Sequence, residues 1–593
     1  MSIRALRWTK RFTPHSAALL ALVGLLAVAC APGQPPTPTP SPTSPVATPT
    51  ATPPGRIPEP GATPTATPTP RPNVGAGHPR VIGVEASCEP GREWWRHVRA
   101  PQRGGTMTVA FISTGNPSRD HSGGSVISFP KVYDTFLRPR ACWFEDTAFA
   151  PSVFHSWDIS GDGRTWTFHM ADSITFHDRP PTWPEFRGRQ ATADDVVWTV
   201  EYKKENTTHS LDLWRRVTAE KVDDLTVRLH LEQPDAEFPL LLMDHWSALL
   251  PREVAESGKR FQDVAVGTGP FMVKSFNSEQ VVLVRNPNYW RKDEATGQPL
   301  PFLDEVRIVV MPDRDAQAAA LRAGQIDQDQ HHGLALTNIR FARRGAEDQI
   351  RHFRGFISAT VLLGMRHDLP PFDNVLVRRA AARAINEDAI VATVYEGVAG
   401  RISGFVPSVL EDFAWPEDTV RQKLGQDLQR CQELLQQAGL STPIEVSLGA
   451  STNVAEAQVA AAGLQECGFQ VTVNRYQGVA LEEAFNTGVI QAFYQSRISS
   501  IKVSDWLGLA TSTHPLNWSY GIGTIKPGQP LPNPDETQRQ IDERVAQQAG
   551  MLDPVQRKQV VDEVQDLLYE AMYWVPGTNR AYLKLRNCTI VNM

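Results

Sequence analysis

Between residues 31 and 80 the chain carries 17 prolines and 10 threonines and few large apolar side chains. A stretch of that kind buries too little apolar surface to offset the entropy of ordering it. It adds nothing to a core, so whatever folds lies beyond it. Proline favours extended geometry at about 3.1 Å per residue, which gives fifty residues a reach of at most about 155 Å. Residues 30–80 are read as a stalk. Its threonines suit attached sugars, although nothing in the sequence requires them.

The stalk follows a short apolar run. Arg4, Arg7, Lys10 and Arg11 precede it without an acidic residue, and Ala17 to Ala29 is apolar throughout. That is shorter than the roughly 20 residues of a spanning helix. Basic region, short apolar core and small residues before the break describe a secretion signal over 1–29. Val28-Ala29-Cys30, after Leu25-Leu26-Ala27, resembles the bacterial lipobox, in which the cysteine is lipidated and becomes the new N-terminus. Cys30 is therefore the expected lipidation site, and the expected location is the extracytoplasmic face of the cell membrane. An ordinary signal or anchor with an incidental cysteine is the competing reading. Diacylation buries enough methylene groups for stable anchoring, where a single chain is marginal.

Removing 1–29 takes away four positive charges, so the net charge of −6 becomes about −10 in the mature chain. With no basic stripe and no nucleic-acid motif, a nucleic-acid partner is not expected. Roughly 500 residues follow the stalk, enough for at least two lobes with cores of their own. The cysteines are Cys30, Cys88, Cys142, Cys431, Cys467 and Cys588. If Cys30 is lipidated, five remain, and at least one stays unpaired within the monomer. Export permits disulfides without proving them, and no CxxC spacing is present. Cys431 and Cys467 fall in neighbouring predicted helices. A bridge between them is one reading, and two buried free thiols are the preferred one.

Along the body, GTMTVAF (Gly105–Phe111) alternates as a strand, with Met107, Val109 and Phe111 on one face. SVFHSWDISGDGRTWTFHM reads as a hairpin turning at Asp162-Gly163. Asp194 and Asp195 sit well in the first turn of a helix. VDDLTVRLHLEQP alternates as a strand through Leu225, Val227, Leu229 and Leu231. Gly267 and Gly269 punctuate the chain before the strand pair MVKSF and VVLVRNP, and no Lys-Ser or Lys-Thr follows to make a phosphate loop. In the second half, RRAAARAINEDAIVATVYEG, Val420–Gly439 and Asn453–Cys467 read as helices. Short strands at Ile444–Leu448 and Val471–Val473 alternate with them. Helix, strand, helix, strand at this spacing argues α/β packing. Asp553-Pro554 opens another helix. WVPGTN then reads as a turn and RAYLKL as a final strand.

Several stretches in fixed order carry a resemblance: YDTFL (Tyr133–Leu137), SWDISGDGRTWTFHM (Ser156–Met170), ITFHD (Ile174–Asp178) and TADDVVW (Thr192–Trp198). VGTGPF (Val266–Phe271), RNPNYW (Arg285–Trp290), ALRAGQID (Ala320–Asp327) and PPFDNVLVRRAAARAIN (Pro370–Asn386) continue it. Over about residues 105–590 the chain resembles the family 5 extracellular solute-binding proteins of ABC importers, the oligopeptide, dipeptide and nickel group. The resemblance implies a two-lobed periplasmic-binding-protein-like α/β fold with an extra subdomain on the first lobe. By that pattern 100–345 form the first lobe, 346–545 the second, and 546–593 return to the first. Most of the shared motifs are expected to be scaffold.

Relatives that bind peptides often carry an acidic residue of the second lobe that meets the ligand's free amine. The matching region, QAFYQSRISSIKVSDWLGLA (Gln491–Ala510), breaks the usual pattern, and Asp505-Trp506 supplies a carboxylate and a ring in altered register. Asp505, Trp506 and Trp518 are candidate ligand contacts, since rings offer apolar area and stacking faces. In the first lobe, the loop Ser113–Gly124 borders the cleft in relatives. It adds Asn116, Arg119 and Asp120, an arginine being able to grip a carboxylate with two hydrogen bonds. TWPEFRGRQ (Thr182–Gln190) is a second departure, an extension where relatives are shorter.

No enzyme is expected. HExxH and GxSxG are absent, and His331-His332 near Asp327 and Asp329 lack a spaced third ligand. The 65 acidic residues leave a glycosidase pair open by counting alone. No metal and no cofactor is expected. The expected function is capture of oligopeptides and their delivery to the membrane permease of an ABC importer. An oligosaccharide ligand, suggested by the altered acidic segment and 15 tryptophans, is one alternative. A receptor that presents ligand to a sensor is the other.

Overall fold

Strands carry the architecture: among the described residues three larger sheets and one two-stranded sheet divide the body. The computed structural model describes residues 103–111, 129–139, 149–206, 214–244, 247–261, 263–293, 296–329, 336–346, 350–397, 400–498, 502–512 and 535–587. Cys30, the stalk, Asn116, Arg119, Asp120, Trp518, Cys88, Cys142, Cys588, His331 and His332 lie outside the described residues. In chain order the strands are β1 (Thr106–Phe111), β2 (Leu137–Pro139), β3 (Phe149–Pro151), β4 (Phe154–Ile159), β5 (Thr165–Met170), β6 (Val217–Asp223), β7 (Thr226–Leu231) and β8 (Phe271–Phe276). They continue with β9 (Gln280–Arg285), β10 (Glu305–Val310), β11 (Ile350–Met365), β12 (Gly400–Ile402), β13 (Ile444–Ala450), β14 (Phe469–Arg475), β15 (Ala492–Ile498) and β16 (Trp574–Asn587).

One four-stranded sheet runs β1-β10-β9-β8, with β1 parallel to β10. Met107, Val109, Ala110 and Phe111 are buried, the period-two burial of a strand covered on one face with its end enclosed on both. A second sheet, β4-β5-β7-β6, contains the hairpin read from the sequence. Gly163 takes the positive φ of its turn at +72°. Stacked Phe136, Phe154 and Phe168 fill its core, with centroids 5.1 and 4.3 Å apart. The third sheet has six strands in the order β12-β16-β11-β15-β13-β14, with β13 parallel to both neighbours. Helices pack around it, so the α/β alternation of the second half is realised.

Two segments read as single helices are each broken in two. The first becomes Val375–Ala384 and Glu387–Thr393, because Ile385 is extended and Asn386 caps the second piece by accepting from the Ala389 amide at 2.8 Å. The second becomes Glu417–Leu424 and Leu428–Gln437, where Gly425 ends one piece and Asp427 caps the next through the Arg430 amide at 2.9 Å. In both cases a polar cap inside an apolar periodic run outweighs the periodicity. WVPGTN, read as a turn, lies within β16 instead. A Cβ on Gly577 would stand 2.5 Å from the Val361 carbonyl oxygen and 2.7 Å from Glu387 Oε1. This glycine allows close approach of backbone rather than chain reversal. β16 hydrogen-bonds to β11 along its length and to β12 on its other side.

The preferred reading of Cys431 and Cys467 as free thiols is overturned: the two form a disulfide, Cα atoms 6.1 Å apart, joining the helices Leu428–Gln437 and Val454–Cys467. Both cysteines are buried. The extension Thr182–Gln190 packs into the first-half core through Trp183 and Phe186. Its Arg189 joins Asp195, at 2.7 and 2.5 Å, and Glu253. Among the described residues no helix is long and apolar enough to cross a membrane.

Candidate functional site

Of the six candidate ligand residues, Asp505 and Trp506 are described. They share the helix Val503–Gly508, which follows β15 and has six residues. Asp505 is exposed in its first turn, while Trp506 is buried in the main apolar core. The pair therefore splits between an outward carboxylate and an inward ring that anchors the helix.

A helix this short does not hold itself. Its first turn is gripped at Ser504, whose amide donates to Glu237 Oε1 at 3.2 Å and whose hydroxyl receives Gln548 Nε2 at 2.8 Å. Arg557 spans the same point, donating to Glu237 Oε1 at 2.7 Å and to Gln548 Oε1 at 2.9 Å. Its guanidinium lies 4.9 Å from the Phe413 ring centroid. Burial holds the neighbouring Asp235 carboxyl above its ordinary value; its bond from the Glu237 amide and the charges of Lys502 and Arg557 pull the other way. The far end of the helix is fixed as well. The Ser512 amide donates to Asp542 Oδ1 at 2.8 Å, and Gln538 Nε2 donates to the Ala510 carbonyl at 2.7 Å.

On the first-half sheet, β1 ends at Phe111, a few positions before Asn116, Arg119 and Asp120 in the sequence. Beside that end lies Gln328, bridged in parallel to Val109. Asp327 Oδ2 accepts the Thr108 amide at 2.7 Å, and the Ala110 amide donates to the Gln328 carbonyl at 3.0 Å. The Gln328 side chain is 8 % exposed, and its Oε1 has no hydrogen-bond partner among the described residues. An unpaired buried carbonyl costs about 1–3 kcal/mol. Ligands of open α/β sheets sit beyond the carboxyl ends of strands, and Gln328 is at such an end. Sequence reading passed over it. The usable signal was the polar run Gln328-Asp329-Gln330 directly after ALRAGQID, where the strand-like register brings side chains back to β1.

The shared motifs lock onto one another away from these residues. Asp134 of YDTFL accepts from Tyr289 Oη and Trp290 Nε1 of RNPNYW, both at 2.9 Å. Burial raises its carboxyl above the ordinary range in spite of those donors. His177 of ITFHD lies 2.9 Å from the Gly269 carbonyl of VGTGPF, and burial lowers its imidazole to about 4. A Cβ on Gly269 would come within 2.7 Å of the Val132 and Tyr133 backbone. These residues are enclosed and satisfied, as a scaffold requires.

A further polar cluster lies between the six-stranded sheet and its helices. Glu387 accepts from Tyr494 Oη at 2.9 Å and Thr578 Oγ1 at 2.6 Å. Burial pushes its carboxyl up to about 7 against those two bonds. Glu456, close by, accepts from Tyr395 Oη at 2.7 Å and Asn453 Nδ2 at 2.8 Å. Among the described residues no group of three or more His, Cys, Asp or Glu side chains is placed to hold a metal ion.

Comparison with known proteins matches residues 148–516 to "Bacterial extracellular solute-binding proteins, family 5 Middle". Di/tripeptide-binding protein 1 of Pseudomonas aeruginosa is 26 % identical over 369 residues, covering 58 % of this chain and 65 % of the relative. Heme-binding protein A of Haemophilus influenzae is 27 % identical over 322 residues, covering 50 % of this chain and 55 % of the relative. The matched region thus spans less than two thirds of the length of either. Among solved structures, the periplasmic binding protein DppA of Helicobacter pylori in complex with the peptide STSA superposes with a TM-score of 0.61. It is 22 % identical, with 82 % of this chain and 94 % of that one covered. NikZ of Campylobacter jejuni in complex with Ni(L-His) gives 0.60 at 17 % identity, with 82 % and 94 % covered. At these identities the structural likeness bears on fold.

Proposed function

We propose, for a chain that belongs to the bacterial extracellular solute-binding proteins of family 5, that it captures oligopeptides and delivers them to the permease of an ABC importer from a lipid anchor at Cys30. The family consists of binding proteins rather than enzymes. The observation that carries the peptide reading is Asp505, an exposed carboxylate on a helix whose pose is fixed by partly buried bonds on either side of it. A fixed carboxylate suits the free amine of a peptide, which seeks a single charged acceptor. Several relatives, among them di/tripeptide-binding protein 1, are named for peptides of that size. Asn116, Arg119, Asp120 and Gln328 supply polar contacts from the first half, Arg119 to the ligand carboxylate. Trp518 offers a stacking face, and Trp506 serves from behind as the anchor of the helix.

The oligosaccharide alternative drew on the number of tryptophans. Trp166, Trp214, Trp506 and Trp574 are among the largest fully buried side chains, which leaves fewer rings for sugar faces and favours the peptide. Disulfide formation fits an exported chain. Capture works by closure of two lobes on the ligand, with β11 and β16 as crossing segments whose pairing shifts register between Phe356 and Leu362.

Native mass spectrometry of the purified protein, followed by denaturing extraction, tests the cargo. The expected result is a ladder of extra masses resolving into peptides. A discrete hexose-spaced mass overturns the peptide reading.

A further inference from the structure

The buried junction around Ser504 has no part in the shared motifs. It joins Glu237, just ahead of the helix Phe238–Met243, to Ser504, to Gln548 of the helix Glu536–Ala549, and to Arg557 of the helix Pro554–Ala571. Glu237 and Arg557 are 5 % and 1 % exposed at their side chains. A buried ion pair is a weak device for stability, because desolvating both charges offsets most of their attraction. Its best-attested use is to specify one arrangement among several. Here what it specifies is the position of Ser504, the residue immediately before Asp505. Glu237 accepts the Ser504 amide, Gln548 Nε2 donates to its hydroxyl, and Arg557 donates to both of these partners.

We propose that Glu237 and Arg557 are positioning residues for ligand capture: through Ser504 they set the place and direction of the Asp505 carboxylate. The proposal rests on the reading of Asp505 as the contact for the ligand amine. It makes the amine contact depend on a carboxylate 267 positions earlier in the chain.

A double-mutant cycle tests it, with tri-alanine as the probe, titrated by calorimetry into the full chain in detergent. Asp505→Asn is expected to weaken binding at least tenfold. Glu237→Gln is expected to weaken it at least tenfold in the wild-type background and less than twofold in the Asp505→Asn background. Residues that act through one another are not additive. Ser504→Ala leaves the Glu237–Arg557 pair intact and guards against a general loss of fold; it is expected to follow the same pattern. Hydrogen exchange of the 503–508 amides should rise at least tenfold in both variants while exchange in β13 stays unchanged. Equal losses in the two backgrounds, or unchanged exchange over 503–508, overturn the proposal. Affinity lost in Asp505→Asn but kept in Glu237→Gln and Ser504→Ala overturns it alone. Affinity kept in Asp505→Asn overturns the reading of Asp505 and this proposal with it.

Discussion

Glu387 is a carboxyl that the fold holds against its own ionisation. Burial raises it from the ordinary value of 4.5 to about 7; hydrogen bonds from Thr578 and Tyr494 favour the charged form and limit the rise, and the charges of Asp388 and Glu456 add to it. The folded chain therefore binds a proton that the unfolded chain releases between about pH 4.5 and 7. The contribution is fully present below the lower value and is lost as pH rises through the upper one. Chemical denaturation across that window should show stability falling by at most about 3 kcal/mol from this group. Glu387→Gln should flatten that part of the slope. Gln328 gives a second prediction at this scale. Gln328→Leu removes an unpaired buried carbonyl, so the melting temperature should rise while peptide affinity falls at least tenfold; unchanged affinity would remove Gln328 from the site. Residues of this sort are hard to read in sequence. Asp505 is a candidate through the resemblance of its region to the acidic segment of peptide-binding relatives, whereas nothing in a glutamine announces an unmet hydrogen bond.

Elements were more legible than their joints. The hairpin around Gly163, the alternation of β1 and β7 and the Asp553-Pro554 helix start follow from local chemistry and stand where the sequence puts them. The two helices that split did so at Asn386 and Asp427, each a cap buried in an apolar period. WVPGTN misled because Pro-Gly is a turn signal, whereas Gly577 meets a demand for space that only the neighbouring strand and helix impose. Gly577→Ala should accordingly cost about 1–3 kcal/mol through overpacking, measured by denaturant titration. The disulfide closes a loop of 36 residues. Replacing Cys431 and Cys467 by serine should destabilise the protein by about 3–4 kcal/mol on the chain-entropy account. A change below 1 kcal/mol would mean that the reduced protein holds these helices together unaided.

For the whole molecule, the ordered motifs carried the family, because side chains such as Asp134, Tyr289, Trp290 and His177 complete one another's hydrogen bonds and must appear together. The proposed ligand face is less legible, since its candidate residues stand hundreds of positions apart in the sequence. Lobe closure predicts that small-angle scattering records a smaller radius of gyration when a tight ligand is added; an unchanged curve with the ligand bound would exclude large-scale closure. One feature of the six-stranded sheet reaches back to biosynthesis. β16 lies between β11 and β12, and Trp574 pairs with Gly364, more than two hundred residues earlier. Until β16 emerges, β11 keeps one bare edge and β12 has no strand partner among the described residues. Pairing at such separation is slow, because a long loop must close before any contact rewards it. A chain threaded through a secretion pore amino end first would thus stay open until its C-terminal strand had followed.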